Sequence, residues 1–366
     1  MVELARILAG PWCGQLLADL GADVIKVERP GAGDDTRHWG PPFLHDADGT
    51  NLDAAYFHAA NRGKSNVAID IATPEGQAHV RALVVDADVV IENYKVGGLA
   101  RYGLDHAALS RINPRLVTCS ITGFGQTGPY AHRAGYDFII QGMGGAMSLT
   151  GEPGGPPQKT GVAYADLFTG VYSAVAILAA LRRRDSTGRG AHIDMALLDT
   201  QVAVLANQAL NWMASGVAPT RMGNAHPNLV PYQTFVCADG DLIIAVGNDA
   251  QFRRLTEILS LDLTNDERFA TNAGRVTHRD ALLPILTRAT LEWRKADLAA
   301  ALENAGVPAG PINTVAEVFA DPQVAFRGLH VHDGSVPGLG SPIVLDGERM
   351  TAARASPRRA VAGTER

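Results

Sequence analysis

The chain contains little of what several classes of protein require. Its 3 cysteines in 366 residues stand singly, which excludes a disulfide framework and a paired-cysteine zinc site and favours a reducing compartment. Lys and Arg number 32 against 38 Asp and Glu, without a long basic block, so we expect no nucleic-acid partner. No apolar run reaches the roughly 18 residues of a membrane span, and no signal or transit segment is evident. We therefore predict a cytoplasmic protein that does not enter a membrane.

Several catalytic motifs are also missing. No H-x-x-x-H or comparable spacing offers a metal site, and the G-x-S-x-G elbow of serine hydrolases is absent. A strand, a glycine turn, a helix and a second strand open the chain, as in nicotinamide-binding enzymes. The turn at residues 9–14 lacks their three-glycine fingerprint, and Pro11 removes an N–H that would face a pyrophosphate. We expect neither a metal nor NAD.

The first half of the chain alternates strand-like and helix-like segments, which predicts an α/β fold with a parallel sheet. A ligand is expected at the carboxyl ends of its strands. From about Pro231 the pattern changes to a hairpin followed by helices, which indicates a smaller α+β domain. The predicted divisions are a large domain over 1–200, a linker helix over 201–224, a small domain over 225–305, and a return linker with the rest of the large domain over 306–366.

The most informative stretch is Gly161–Gly170, which places Asp166 at the mouth of a strongly helical segment. The helix N-terminus favours negative charge, so we expect Asp166 to be ionised. Such a carboxylate could be a helix cap, with Thr169 three residues on, or a cation ligand, a base or a nucleophile. The residues alone leave these roles open.

Cations and amides stand where strands of the predicted sheet end. Taken singly, each is most often a solvated loop residue. Together at one sheet edge they could form a cradle for several phosphates. Its members would be Arg29, Arg62, Lys64, Asn93, Tyr94 and Arg101.

Taken in order, the motifs resemble the family III CoA-transferases over nearly the whole chain. The resemblance rests on many blocks at consistent spacing: Leu8–Pro11, Asp19–Arg29, Gly31–Arg37, Asn61–Ser65, Ile91–Tyr94, Thr122–Pro129, Ala134–Asp137, Tyr164–Asp166 and Thr187–Gly190.

This resemblance implies a reaction and a fold. Asp166 would be the nucleophile that exchanges CoA through a covalent aspartyl-CoA thioester. The fold would be a Rossmann-like large domain and a small domain joined by long linkers, in an interlocked homodimer. The matching CoA-contacting positions would be Ile7, Leu8, Ala9, Arg29, Lys64, Asn93, Tyr94 and Arg101.

The resemblance also suggests a substrate class. Residues 31–43 and 225–235 look most like the branch that moves CoA from succinyl-CoA to glutarate and related dicarboxylic acids. The expected substrate-binding residues are Arg37, Tyr136, His226 and Asn228, although His226 is about as well explained as an ordinary loop residue. The alternative is an acyl-CoA racemase of the same fold, which pairs its aspartate with a histidine. Tyr136 stands at that position and is a poor substitute for imidazole near pH 7.

Overall fold

The computed structural model describes residues 1–263 and 265–360. The chain forms two compact units. The larger contains residues 1–147, 159–217 and the described residues after 321, and the smaller contains 148–158 and 218–321. The domain boundaries expected from the sequence stay predictions.

Strands and helices alternate through the first part of the larger unit. The strands are β1 (Val2–Glu3), β2 (Ile25–Glu28), β3 (Phe43–His45), β4 (Asn51–Ala54), β5 (Ser65–Ala68), β6 (Val89–Glu92), β7 (Val117–Thr122) and β8 (Ala191–Ala196). The helices are α1 (Ala9–Asp19), α2 (Ala55–His58), α3 (Pro74–Val85), α4 (His106–Ile112), α5 (Asp137–Met143), α6 (Ala146–Leu149), α7 (Tyr164–Thr187), α8 (Leu197–Ala203) and α9 (Ala206–Ser215). Short 3-10 helices lie at Asp35–His38 and Ala100–Tyr102.

Within the described part of the chain, six strands form one parallel sheet in the order β5-β2-β1-β6-β7-β8. The chain starts in the middle of this sheet, builds outwards to β5, and then returns to place β6 on the other side of β1. The carboxyl ends of β1 and β6 therefore flank the point where the strand order reverses, which is where α/β sheets bind ligands. The predicted α/β class with a large parallel sheet is confirmed.

Alternating side chains explain why helices cover both faces of the sheet. In β6, Val89 and Ile91 point into one core, which includes residues of α1 and α7, whereas Val90 points into the other, which includes residues of α3 and α4. Helix α3 begins as its sequence predicts, because the Thr73 hydroxyl accepts a hydrogen bond from the Gly76 N–H at 3.0 Å and Pro74 occupies the first helical position.

The smaller unit has its own core around an antiparallel sheet. Its elements are β9 (Tyr232–Cys237), β10 (Gly240–Ala245), α10 (Asp249–Ile258), α11 (Asn272–Thr277), α12 (Arg279–Thr290), α13 (Lys295–Asn304), β11 (Ala309–Pro311) and α14 (Val315–Ala320). The predicted hairpin is confirmed as β9 and β10, which bury Phe235 and Leu242 against Phe252 and Leu298. The chain then adds α15 (Pro322–Phe326), β12 (His330–Asp333), β13 (Val336–Leu339), β14 (Val344–Leu345) and β15 (Glu348–Arg349).

Helix α7 corrects one expectation about membrane segments. By length and composition it is apolar enough to cross a membrane, with a mean hydropathy of 1.6 over its most apolar window. The helix is not one uninterrupted apolar run, because Asp166 lies in its first turn and Arg182 follows its apolar part. A single such helix is weak evidence for a membrane, since core helices of soluble proteins have the same composition.

Candidate active site

A cleft of about 410 Å³ lies at the carboxyl ends of β1 and β6 in the larger unit. We call it the switch-point cleft. Its walls come from four parts of the sequence that only the fold brings together, and Asp166 at the start of α7 lines it with them. The other lining residues are 6–9, 93–96, 98, 101, 121–123, 131, 133–136 and 197.

Asn93 holds one wall of the cleft in place. Its side-chain oxygen accepts a hydrogen bond from the Arg6 N–H at 3.0 Å, and its amide nitrogen donates to the Arg6 carbonyl at 2.7 Å. The end of β6 thus fixes the loop that leaves β1, and this loop supplies Ile7, Leu8 and Ala9 to the cleft.

Asp166 is the third residue of α7 and is not its cap, contrary to one of the roles considered above. The capping position belongs to Ala163, whose side chain offers no acceptor. The carboxylate of Asp137 serves instead, accepting the Ala165 N–H at 2.8 Å and, more distantly, the Asp166 N–H at 3.4 Å. Gln141 in turn donates to Asp137 at 2.7 Å. The Asp166 carboxylate is therefore not committed to capping and faces the cleft.

The charge state of Asp166 also differs from the expectation of a fully ionised group. Burial, followed by repulsion from the Asp137 carboxylate, raises the pKa of Asp166 to about 7. A carboxylate of this basicity is a better nucleophile than an ordinary aspartate, and a substantial fraction is still ionised near neutral pH. The same two carboxylates, after burial, also raise the pKa of Tyr56, so that phenol belongs to the electrostatic surroundings of the nucleophile.

Gly170 brings the helix that contains Asp166 against the start of α1. A Cβ atom at this position would lie 2.8 Å from the Ala9 carbonyl oxygen and 2.9 Å from the Trp12 ring. Only glycine allows this approach, which packs α7 one turn beyond Asp166 directly against the Ile7–Ala9 wall.

The switch-point cleft brings together many of the residues expected from the sequence. They are Ile7, Leu8, Ala9, Asn93, Tyr94, Arg101, Tyr136 and Asp166. Arg29 is exposed at the end of β2 but does not line this cleft. Their shared position is a geometric finding, and their individual roles stay predictions.

Lys64 corrects the predicted phosphate cradle. Its ammonium is completely buried and lies 2.9 Å from the Glu3 carboxylate. It also donates to the carbonyls of Pro11 and Ala60 and to the side chain of Asn61. Burial lowers its pKa to about 8, against the opposing effect of Glu3. Lys64 supports the fold and is not available to a phosphate.

The cations Arg37 and Arg62 are also committed inside the protein. Arg37 forms a two-pronged ion pair with Glu28, at 2.6 and 2.7 Å, and a further ion pair with Asp53. With 1% of its surface exposed it cannot reach a substrate carboxylate, so its expected role is corrected. Arg62 pairs with Asp19 at 2.6 Å.

His226 and Asn228 lie together in the smaller unit. The Asn228 N–H donates to the His226 ring nitrogen Nδ1 at 3.0 Å, and Arg279 donates to the His226 carbonyl at 2.9 Å. Burial, and then the Arg279 charge, lower the pKa of His226. These contacts explain the local loop, and a role toward substrate stays a prediction.

Sequence reasoning missed several residues of the site. The cleft is also lined by the cations Arg6, Lys95 and Arg133. The signal for Arg6 and Lys95 is their position beside residues already identified, because neighbours at a strand end share its edge. Arg133, Asp137 and Gln141 follow the glycine-rich stretch before α5, where nothing in the local pattern distinguishes a functional side chain from a loop residue.

The expected absence of a metal is not tested by the structure. Over residues 1–263 and 265–360, no group of three or more His, Cys, Asp or Glu side chains is placed to hold a metal ion.

The chain belongs to the family described as CoA-transferase family III, whose model it matches over residues 1–360. It is 59% identical to a succinate–glutarate CoA-transferase of Agrobacterium fabrum, covering 98% of this chain and 91% of that protein. It is 41% identical to the succinyl-CoA:glutarate CoA-transferase of Homo sapiens, over 98% and 82% of the two chains. Among solved structures, a CAIB/BAIF family protein from Brucella suis has 60% identity and a TM-score of 0.86, covering 98% and 94%.

Proposed function

We propose that this enzyme moves CoA from an acyl-CoA, best succinyl-CoA, to a dicarboxylic acid such as glutarate, through a covalent intermediate on Asp166. The observation that carries the proposal is the position of this raised-pKa carboxylate in the switch-point cleft, beside residues expected to contact CoA. The activities of the relatives from Agrobacterium fabrum and Homo sapiens support the same pair of substrates.

The proposed reaction uses only exchanges between carboxylates and thioesters. The Asp166 carboxylate attacks the thioester carbonyl, the carbon–sulfur bond breaks, and a mixed anhydride and CoA thiolate form. The thiolate then attacks the Asp166 carbonyl of the anhydride, which releases the donor acid and leaves an aspartyl-CoA thioester. The acceptor carboxylate repeats these two steps in reverse order, so that new acyl-CoA leaves and the Asp166 carboxylate returns. The overall exchange of one thioester for another is nearly balanced in free energy, and the covalent intermediates divide it into easier steps.

Trapping of the intermediate tests this mechanism. After incubation with succinyl-CoA alone, hydroxylamine should convert Asp166 to a hydroxamate, which peptide mass spectrometry locates. Asp166→Asn should give no adduct and no transfer. Full transfer by this variant would overturn the role of Asp166. Exchange of the acyl-CoA α-proton with deuterated solvent, without any acceptor, would instead indicate the racemase alternative.

Arg133 is the residue that we propose to hold the distal carboxylate of the acceptor. Its guanidinium lies 4.6 Å from the centre of the Tyr130 ring and 5.2 Å from that of Phe124. In the described part of the chain the one hydrogen-bond partner of this guanidinium is the Met143 sulfur at 3.9 Å. No carboxylate among the described residues is therefore paired with it. An arginine stacked on aromatic rings is oriented in advance for two-pronged binding of a carboxylate. By contrast, Arg6 is already paired with Asp35 at 2.6 Å.

A comparison of acceptors tests Arg133. Arg133→Gln should raise the KM for glutarate about tenfold or more, because one charge-assisted contact is lost. The KM for butyrate, which has no distal carboxylate, should change less than twofold. Arg101→Gln is the matched control, because it should raise the KM for the acyl-CoA with either acceptor. Equal losses for glutarate and butyrate in Arg133→Gln would contradict the assignment.

We also propose that the enzyme is a homodimer, interlocked as the family resemblance implies. Helix α7 supports this proposal through an exposed apolar stripe with helical spacing: Phe168, Val171, Tyr172, Val175 and Leu178. Val175→Asp should lower the dimer fraction in light scattering, whereas Arg182→Asp, an exposed change on the same helix, should not. A monomeric wild-type protein would contradict the proposal.

A cytoplasmic location without membrane or nucleic-acid partners remains part of the proposal. It is supported by three cysteines that are all unpaired in the structure, as expected in a reducing compartment. Fractionation of cells that express the full chain tests it, and recovery with the membranes would overturn it.

A further inference from the structure

Ile7, in the wall of the switch-point cleft, has an unusual backbone. Its φ angle is +74°, in the left-handed region, although its side chain is β-branched. Such a conformation is costly for any residue with a branched Cβ, and it persists only where the surrounding structure enforces it.

Asp34 is the group that enforces it. The Ile7 N–H points at the Asp34 carboxylate, 3.3 Å from each oxygen. On the preceding residue, Asn93 already holds both the N–H and the carbonyl of Arg6. The two side chains together leave the backbone at Ile7 little freedom to relax.

Asp34 is itself held by buried polar groups. It is 1% exposed, and one oxygen lies 2.9 Å from the ammonium of Lys26, which is fully buried and also paired with Glu3 at 3.0 Å. Thr36 donates its N–H and its hydroxyl to the other oxygen, at 3.0 and 2.8 Å. Although burial opposes it, Lys26 and Thr36 keep the pKa of Asp34 below its usual value. The carboxylate is therefore a fixed anion behind the cleft wall.

We propose that Asp34 is a positioning residue for CoA transfer: by holding the strained Ile7, it sets the wall of residues 7–9 at the geometry that the thioester needs beside Asp166. This inference rests on the proposed function. It does not require Asp34 to touch substrate, because it acts through the backbone of Ile7.

A pair of backgrounds separates positioning from simple stability. Ile7→Ala and Ile7→Gly both remove the side chain, but only glycine adopts a positive φ without steric cost. Asp34→Asn should therefore lower kcat at least tenfold beside Ile7→Ala and less than threefold beside Ile7→Gly, with a smaller change in KM for succinyl-CoA. Asp48→Asn, which changes an exposed carboxylate outside the cleft that accepts a hydrogen bond from the Thr50 N–H, is the control and should change kcat less than twofold.

Other outcomes are equally informative. Equal losses of kcat in the two backgrounds, measured on folded protein, would overturn the proposal. If Asp34→Asn does not fold, Asp34→Ser is tested in the same two Ile7 backgrounds. If neither Asp34 variant folds beside Ile7→Gly, Asp34 serves the fold alone and the proposal is overturned. If the wild-type enzyme transfers CoA to no acceptor, the proposed function fails. The affinity for CoA is then measured by calorimetry, which needs no acceptor. If Asp34→Asn does not weaken CoA binding more beside Ile7→Ala than beside Ile7→Gly, the positioning role is overturned.

Discussion

The larger unit contains two groups of cations that the fold places in opposite surroundings. Lys64 and Arg37 are buried, and each faces carboxylates at 2.9 Å or less. Arg101 and Arg133 line the switch-point cleft and, among residues that the structure describes, have no carboxylate partner. A cation that the fold neutralises stabilises the protein, whereas one left without a partner can meet an anionic ligand.

The carboxylates show the same contrast. Asp34 and Glu3 are buried with ammonium groups within 3.0 Å. Among the described residues Asp166 has no such partner, and the Asp137 carboxylate repels it. The buried carboxylates are thus committed to partners inside the fold, while the cleft holds a carboxylate whose charged form is disfavoured. Each prediction below tests this division.

The largest effect is expected from Asp166→Asn. Transfer should fall by at least about 10³-fold, because the proposed nucleophile is lost.

The free energy of unfolding of Asp166→Asn should exceed that of the wild type at pH 8. The raised pKa means that the folded state binds more protons than the unfolded one between pH 4 and 7, so the stability contributed by Asp166 falls across this window. Its removal should add about 1 to 3 kcal/mol at pH 8 and little at pH 4, measured by urea unfolding. An unchanged difference between the two pH values would contradict the raised pKa.

Lys64→Met should mainly reduce stability. Removing one member of a buried ion-pair network takes one ammonium partner from Glu3, which keeps Lys26, and removes the donor to the carbonyls of Pro11 and Ala60, which costs about 3 to 5 kcal/mol in urea unfolding. In the folded protein, kcat and the KM for acyl-CoA should stay within about threefold of wild type. A large rise in KM with unchanged stability would return Lys64 to the binding site.

Arg101→Gln should show the reverse pattern. The KM for CoA thioesters should rise about tenfold through the loss of one charge-assisted contact, with the free energy of unfolding changed by less than about 0.5 kcal/mol. Arg111→Gln is the matched control, since Arg111 is exposed on α4 and lies outside the cleft, and we expect little effect on KM. Equal effects of the two substitutions would show that the cleft does not define the CoA site.

Asp137→Asn should change the pH dependence more than the rate. Transfer requires ionised Asp166, so kcat/KM for succinyl-CoA should fall as the pH drops through about 7. Removing the neighbouring negative charge lowers the pKa of Asp166, and the profile should move to lower pH by about one unit. The amide oxygen of asparagine can still cap α7. A profile that stays in place would mean that burial alone sets the pKa.

Motif order predicted much of the site, because blocks around strand ends must meet where the strand order of a parallel sheet reverses. The residues between β1 and α1 show the limit of that reasoning. Val2 to Leu8 is apolar enough to predict a strand, yet β1 ends at Glu3 and Ile7 has a positive φ. After β1 the chain forms a wall of the cleft at residues 6–9. No local sequence pattern distinguishes this wall from a continuing strand.

Burial of charge could not be predicted either. Lys64 follows a glycine and directly precedes β5, and its partner Glu3 lies 61 residues away in sequence. The edge strand β8 was missed for another reason. Ala191–Ala196 has the alternation of a strand, but it leads directly into α8 without a turn, so no local signal marks where the strand ends and the helix begins.

Gly170 determines which parts of the active site can move independently. Since α7 meets the Ala9 carbonyl there without an intervening side chain, the helix that contains Asp166 packs directly against the Ile7–Ala9 wall. A movement that widens the cleft and keeps this contact would involve the facing walls, at residues 93–101 or 131–136. Substitution by alanine would wedge the two helices apart and lengthen the gap that Asp166 has to cross.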